Sequence, residues 1–148
     1  SVSGAFLYHP QPDMVTNIDG ILSLSGRDHV TILDVRSHEE FTGTGGSACC
    51  WRRGRIPGAV RVEWTNFLDK ASGRLKSSAA IQRVLQDANI PPDNQIIAYC
   101  HRGARSALVY CALKSSGCRR VKNYIGSWHE WAARSDTPVE TGESTGHR

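Results

Sequence analysis

No run of apolar residues in this 148-residue chain is long enough to cross a bilayer as a helix. That excludes a helical membrane protein, and no membrane partner is expected. Hydrophobic residues make up 39% and charged residues 22%, which also excludes a fibrous repeat and a wholly disordered chain. An even count of cysteines is missing as well. The five, Cys49, Cys50, Cys100, Cys111 and Cys118, are odd in number. A chain of this size can fold on its own core without covalent staples. The count therefore argues against a disulfide framework and for a reducing compartment, the cytoplasm or an organelle interior. No two cysteines have Cys-x-x-Cys spacing and no two of the six histidines lie four residues apart. On spacing, neither a zinc site nor any other metal or cofactor is expected. No charged segment followed by an apolar stretch marks a secretory leader. The first residue is Ser1 rather than Met, so a longer parent protein stays open.

What is present is a local excess of positive charge. The net charge is +4, but residues 95–134 hold seven Lys/Arg against one Asp/Glu, +6, so the remainder sums to −2. A basic stretch attracts an anion. No aromatic-basic motif accompanies it, so no nucleic-acid partner is expected.

Hydrophobic patterning predicts short buried strands alternating with helices. Residues 1–15 read as an irregular lead-in and 16–25 as a short helix behind a Thr16 cap. Residues 30–35 (Val-Thr-Ile-Leu-Asp-Val) form a nearly continuous apolar run, the mark of a strand buried on both faces. Ser37 and Glu40 form a capping box that opens a helix over 37–41. Residues 42–55 are a Gly-rich loop. A second strand is expected at 59–62, a helix at 77–88, a third buried strand at 95–99, a helix at 106–116, a strand at 121–124 and a helix at 127–134. From Ser135 on, the tail is polar and reads as loose. The alternation implies an α/β fold, a parallel sheet of about five strands with helices on both faces. The single domain is expected over 16–140, with 141–148 as tail.

Ligands of such sheets sit at the carboxyl ends of the strands. The loop Cys100–Arg105 is in that place, between a buried strand and a helix. Backbone N–H groups at a helix start lack helical partners and can point at the cysteine sulfur. Arg102, Arg105 and His101 add full or titratable charge. A thiolate at Cys100 is then favoured below the ordinary cysteine range. Gly103 permits a backbone conformation that other residues resist. The alternative is that Cys100 is a small buried apolar residue, with Arg102 and Arg105 as solvated surface arginines.

The order of motifs resembles the rhodanese sulfurtransferases. The motifs are Leu33-Asp34-Val35-Arg36-Ser37-His38-Glu39-Glu40-Phe41, Gly54-Arg55-Ile56-Pro57-Gly58-Ala59, Cys-x-x-x-x-Arg at 100–105, and Tyr124-Ile125-Gly126-Ser127-Trp128 running on to Glu140. The last segment is most similar to the end of the catalytic C-terminal domain of two-domain thiosulfate and mercaptopyruvate sulfurtransferases. The resemblance implies transfer of a sulfane sulfur from an anionic donor such as thiosulfate to cyanide or a thiol, through a persulfide on Cys100. It implies donor and persulfide binding by Arg36, His101, Arg102, Gly103, Ala104, Arg105 and Ser106. A thioredoxin-like protein is an expected kind of thiol acceptor.

The cationic loop favours a small dianion over a ketoacid. Glu40 stands where mercaptopyruvate enzymes tend to carry a second arginine. Arg55 replaces a histidine, and Ile125 an aspartate, of the family pattern. Cys49 and Cys50 match no family motif. They read either as resolving thiols or a redox lid for the Cys100 persulfide, or as exposed loop residues without a role.

Two rival functions share these features. One is a phosphatase or arsenate reductase of the same fold. It would need one more residue between cysteine and arginine to surround a tetrahedral oxyanion. The other is a sulfur-relay module that hands its persulfide to a protein partner.

Overall fold

The structure, a computed structural model, describes residues 11–46 and 48–143. Residues 1–10 of the expected lead-in and 144–148 of the expected tail lie outside it. In chain order the elements are β1 (Val15–Thr16), α1 (Ile18–Leu24), β2 (Val30–Asp34), α2 (His38–Thr42), β3 (Val60–Arg61), α3 (Ser78–Asp87), β4 (Gln95–Tyr99), α4 (Ala104–Ser115), β5 (Val121–Tyr124) and α5 (Ser127–Ala133). The five strands form one sheet in the order β1-β5-β4-β2-β3. Every pairing is parallel.

The central strands are apolar because both faces of the sheet are covered. Along β4 the side chains alternate. Ile96 and Ala98, followed by Cys100, join the cluster with Ile81 and Leu85 of α3 and Val109 and Leu113 of α4. Ile97 and Tyr99 join the opposite cluster with Ile21 of α1, Phe41 of α2 and Trp128 and Trp131 of α5. Two helices cover one face and three cover the other, the α/β architecture that the sequence implies.

The differences are local. The first helix is capped by Asn17, whose side chain accepts from Gly20 N–H, and Thr16 belongs to β1 instead. That two-residue edge strand is too short to show a period. A 3-10 turn at Trp64–Phe67, with Phe67 buried, went unread for the same reason. The helix after Cys100 opens at Ala104, two residues earlier than expected, because Gly103 takes φ 84° as its N-cap. The segment from Ser135 to Glu140 is packed rather than loose. Thr137 is buried, the Trp131 indole N–H donates to Pro138 O at 2.8 Å, and Glu140 exchanges backbone hydrogen bonds with Arg55.

Candidate active site

Strand β4 ends at Tyr99 and delivers Cys100 to the carboxyl edge of the sheet, 1% exposed. The chain is held there from α5. Cys100 N–H donates to Ser127 Oγ at 3.1 Å, and Trp128 N–H donates to Cys100 O at 3.0 Å. Gly103 N–H turns back and donates to Cys100 Sγ at 3.1 Å. That turn requires glycine. Gly103 has positive φ, and a Cβ there would lie 2.8 Å from Ile125 O.

Ser106, in the first turn of α4, is fully buried. Its hydroxyl donates to Gly103 O at 3.0 Å or to Cys100 Sγ at 3.5 Å. One proton thus serves two acceptors and can move to the sulfur when the sulfur ionises. Burial opposes ionisation of Cys100. The Ser106 hydroxyl and the N–H groups of Ser106, Arg102 and Gly103 outweigh it, and the thiol is held below its ordinary value. The donors are those expected of a helix start; Ser106 supplies an extra one.

The arginines divide. Arg36 is buried, and its Nε and Nη2 are spent on Asp34 (2.6 Å at the shortest), on Gly54 O at 2.8 Å and on Tyr99 Oη at 3.5 Å. Its guanidinium lies over the Trp128 ring at 4.7 Å. It borders a cavity lined also by Glu40, Cys50, Arg53, His101 and Trp128. Arg105 is bidentate on Glu40, at 2.8 and 2.9 Å. This pairing holds the Glu40 carboxyl below its usual range against the cost of burial. Glu40, a departure from the mercaptopyruvate pattern, and Arg105 are therefore one interaction. Arg102 is exposed, on an open groove with Ile125, Gly126, His129 and Glu130. His101 is half-buried, and Ala104 is exposed at the first position of α4.

Two positioning residues escaped the sequence reading. Ser127 takes φ 53°, a strained value for a non-glycine, and its hydroxyl donates to Tyr124 O at 2.7 Å. Asn123 on β5 donates from Nδ2 to Gly103 O at 3.3 Å. Ser127 lies inside the Tyr-x-Gly-Ser-Trp motif, which was the available signal; Asn123 had none.

Arg55 now has a physical account. It is 1% exposed, stacks on Phe41 at 4.3 Å and binds Glu140 at 2.5 Å. It fastens the C-terminal segment to the fold. Ile125 is 54% exposed, and nothing in the structure explains why it replaces an aspartate.

The rhodanese-like domain family matches residues 19–134. The thiosulfate sulfurtransferase of Pseudomonas aeruginosa is 40% identical over 115 residues, which are 78% of this chain and 41% of that protein. The Azotobacter vinelandii thiosulfate sulfurtransferase is 38% identical over 92% of this chain and 48% of its own. The Escherichia coli 3-mercaptopyruvate sulfurtransferase is 33% identical over 87% and 46%. The chain thus spans about half the length, or less, of these relatives. Among solved structures, wild-type EanB superposes with a TM-score of 0.82 at 26% identity, over 90% of this chain and 32% of that one. A variant of EanB holding a cysteine persulfide with ergothioneine gives the same score over 89% of this chain and 33% of that one. Sequence motifs, sheet order and relatives agree, and the chain belongs to the rhodanese-like domain family.

Proposed function

We propose that this domain is a thiosulfate-type sulfurtransferase that works through a persulfide on Cys100. The observation that carries the reading is the donor set on one buried sulfur: Gly103 N–H at 3.1 Å and the Ser106 hydroxyl at 3.5 Å. Those groups stabilise a thiolate and, one atom further out, a persulfide anion.

In the first half-reaction the Cys100 thiolate attacks the outer sulfur of thiosulfate. The Cys100 S–S bond forms, the donor S–S bond breaks, and sulfite leaves with the electron pair. In the second, cyanide or a thiolate attacks the terminal sulfur and Cys100 leaves as thiolate. Arg36 forms the wall of the donor site. The loop residues His101, Arg102, Gly103, Ala104, Arg105 and Ser106 form its floor and rim. Arg105 acts there through its clamp on Glu40, which sets the first turn of α4. The same clamp disfavours the phosphatase reading, since a phosphate-binding arginine must turn its fork to the oxyanion and here both Nη atoms are turned to Glu40. A soluble donor, a thiol acceptor and a reducing compartment fit this chemistry.

Exposed apolar residues beside the mouth favour a protein acceptor as a second reading. Trp51 is 71% exposed next to Cys50, and Ile125 flanks Arg102. On this reading a thioredoxin-like thiol protein would dock against these residues.

Steady-state turnover tests the enzyme reading. Thiosulfate-dependent formation of thiocyanate from cyanide is expected to vanish in Cys100→Ser and to persist in Cys111→Ser. Aryl phosphate hydrolysis that depends on Cys100, without thiocyanate formation, would reject it.

A further inference from the structure

The Gly-rich loop after α2 brings Cys49 and Cys50 against two histidines from distant parts of the chain. Cys49 Sγ lies 3.3 Å from His101 Nε2 and 3.7 Å from His129 Nδ1. Cys50 Sγ lies 4.0 Å from His101 Nδ1 and 3.9 Å from the same His129 Nδ1. The two sulfurs are 3.7 Å apart, well beyond a disulfide bond. One ligand atom from each of the four residues lies within 4.8 Å of every other.

These separations have a simple meaning. Zn–S bonds of about 2.3 Å and Zn–N bonds of about 2.0–2.1 Å place tetrahedral ligand atoms roughly 3.3–3.8 Å apart. Most of the observed edges fall in or just outside that range. A single His101 nitrogen ligates, so its edges to the other sulfur and to His129 Nδ1 lie within 4.8 Å, and closing the tetrahedron draws those edges in by up to about 1–1.5 Å. Two thiolates and two imidazoles are a donor set of the right softness for zinc. These four ligands are not near one another in sequence, apart from the Cys49-Cys50 pair. Sequence spacing does not show the set because the fold makes the two histidines neighbours: His129 N–H donates to His101 O at 3.0 Å, and their rings meet edge to face.

Charge is compatible as well. The mouth carries Arg36, Arg53 and Arg102, which repel a bare dication. Two thiolates cancel the charge of Zn²⁺, so the loaded centre is neutral. Binding displaces one proton from each thiol and needs no oxidant or reductant. A metal would thus compete with protons, and zinc affinity rises with pH. Cys49 and His129 are exposed, which gives the ion a path in.

We propose that Cys49, Cys50, His101 and His129 form a tetrahedral zinc-binding site at the mouth of the Cys100 pocket. Zinc there ties the loop of residues 43–53 to the catalytic loop through His101 and narrows the approach to Cys100. That consequence rests on the sulfur-transfer reading. The binding test uses no turnover, so the two readings fail separately.

The probe is Co²⁺ titrated anaerobically into reduced protein, followed by displacement with Zn²⁺. Wild-type protein is expected to take up one equivalent, with thiolate-to-cobalt charge-transfer bands and the intense visible bands of a tetrahedral ion. Zinc should abolish both. Cys100→Ser should give the same spectrum, and C49S/C50S should lose it. His129→Ala should bind more weakly by at least roughly tenfold, since even outer-sphere losses cost about 10–100-fold. The circular dichroism of each variant checks that it is folded. A spectrum that survives C49S/C50S, disappears in Cys100→Ser or lacks the thiolate bands would overturn the site.

Discussion

Cys100 owes its chemistry to groups that a single substitution can remove. The Ser106 hydroxyl is one, and Ser106→Ala deletes it while leaving three backbone donors. The Cys100 thiol should then titrate at higher pH, and alkylation at neutral pH should slow several-fold. An unchanged pH profile of alkylation would remove Ser106 from the account. The sign carries over to stability. The folded protein holds Cys100 below its unfolded value, so between the two values the unfolded chain binds more protons. Stability gained from this thiol is fully present above the unfolded value and is lost as pH falls through the folded one. Gly103→Ala tests the turn. The left-handed backbone alone costs a non-glycine about 1–2 kcal/mol, and the Cβ would meet Ile125 O at 2.8 Å. A urea midpoint equal to that of the wild type would contradict the geometry. At this scale the sequence was informative about Cys100 and Gly103, because a strand end followed by a Gly-containing loop is a local pattern. It was silent about Asn123, whose role depends on β5 lying beside β4.

Elements are joined at the site by pairs of side chains. The Arg105–Glu40 clamp links the first turn of α4 to α2, and Glu40 also completes the capping box with Ser37. Glu40→Gln keeps the shape and removes the charge. The pair is half-buried, between a surface pair worth about 0–1 kcal/mol and a buried one worth more, so a loss of about 1–2 kcal/mol is expected. Because the folded protein holds the Glu40 carboxyl low, this difference should be full above the unfolded carboxylate value and shrink as pH falls through the folded one. Denaturant midpoints of the two proteins at neutral and acidic pH measure it. A difference that grows on acidification would be inconsistent with the clamp. The α2 capping box and the β2 and β4 strands were legible from local pattern alone. The two-residue strand β1 and the 3-10 turn at Trp64–Phe67 were not, since neither is long enough to express a period.

The whole molecule depends on its C-terminal segment. Arg55, deeply buried, is matched by Glu140, and Trp131 and Thr137 anchor the chain between them. Glu140→Ala would leave the Arg55 charge with the Phe41 and Gly142 carbonyls and the Phe41 ring. The cost should be about 2–3 kcal/mol, below the 3–5 kcal/mol of a buried charge left wholly unpaired. For a domain of this size that lowers Tm by roughly 5–10 °C, readable by calorimetry. A polar sequence suggested a loose tail here. Polar residues that satisfy buried partners look the same in a sequence as residues facing solvent, and only the fold tells them apart. The same limit hid the Cys–His cluster, which three separate segments assemble.

All three scales converge on one sulfur atom. Mass spectrometry of the intact protein after thiosulfate treatment and desalting tests that convergence most directly. The wild-type protein is expected to gain one sulfur atom, released by cyanide and missing from Cys100→Ser. No adduct on the wild type, or an adduct that persists in Cys100→Ser, would contradict it.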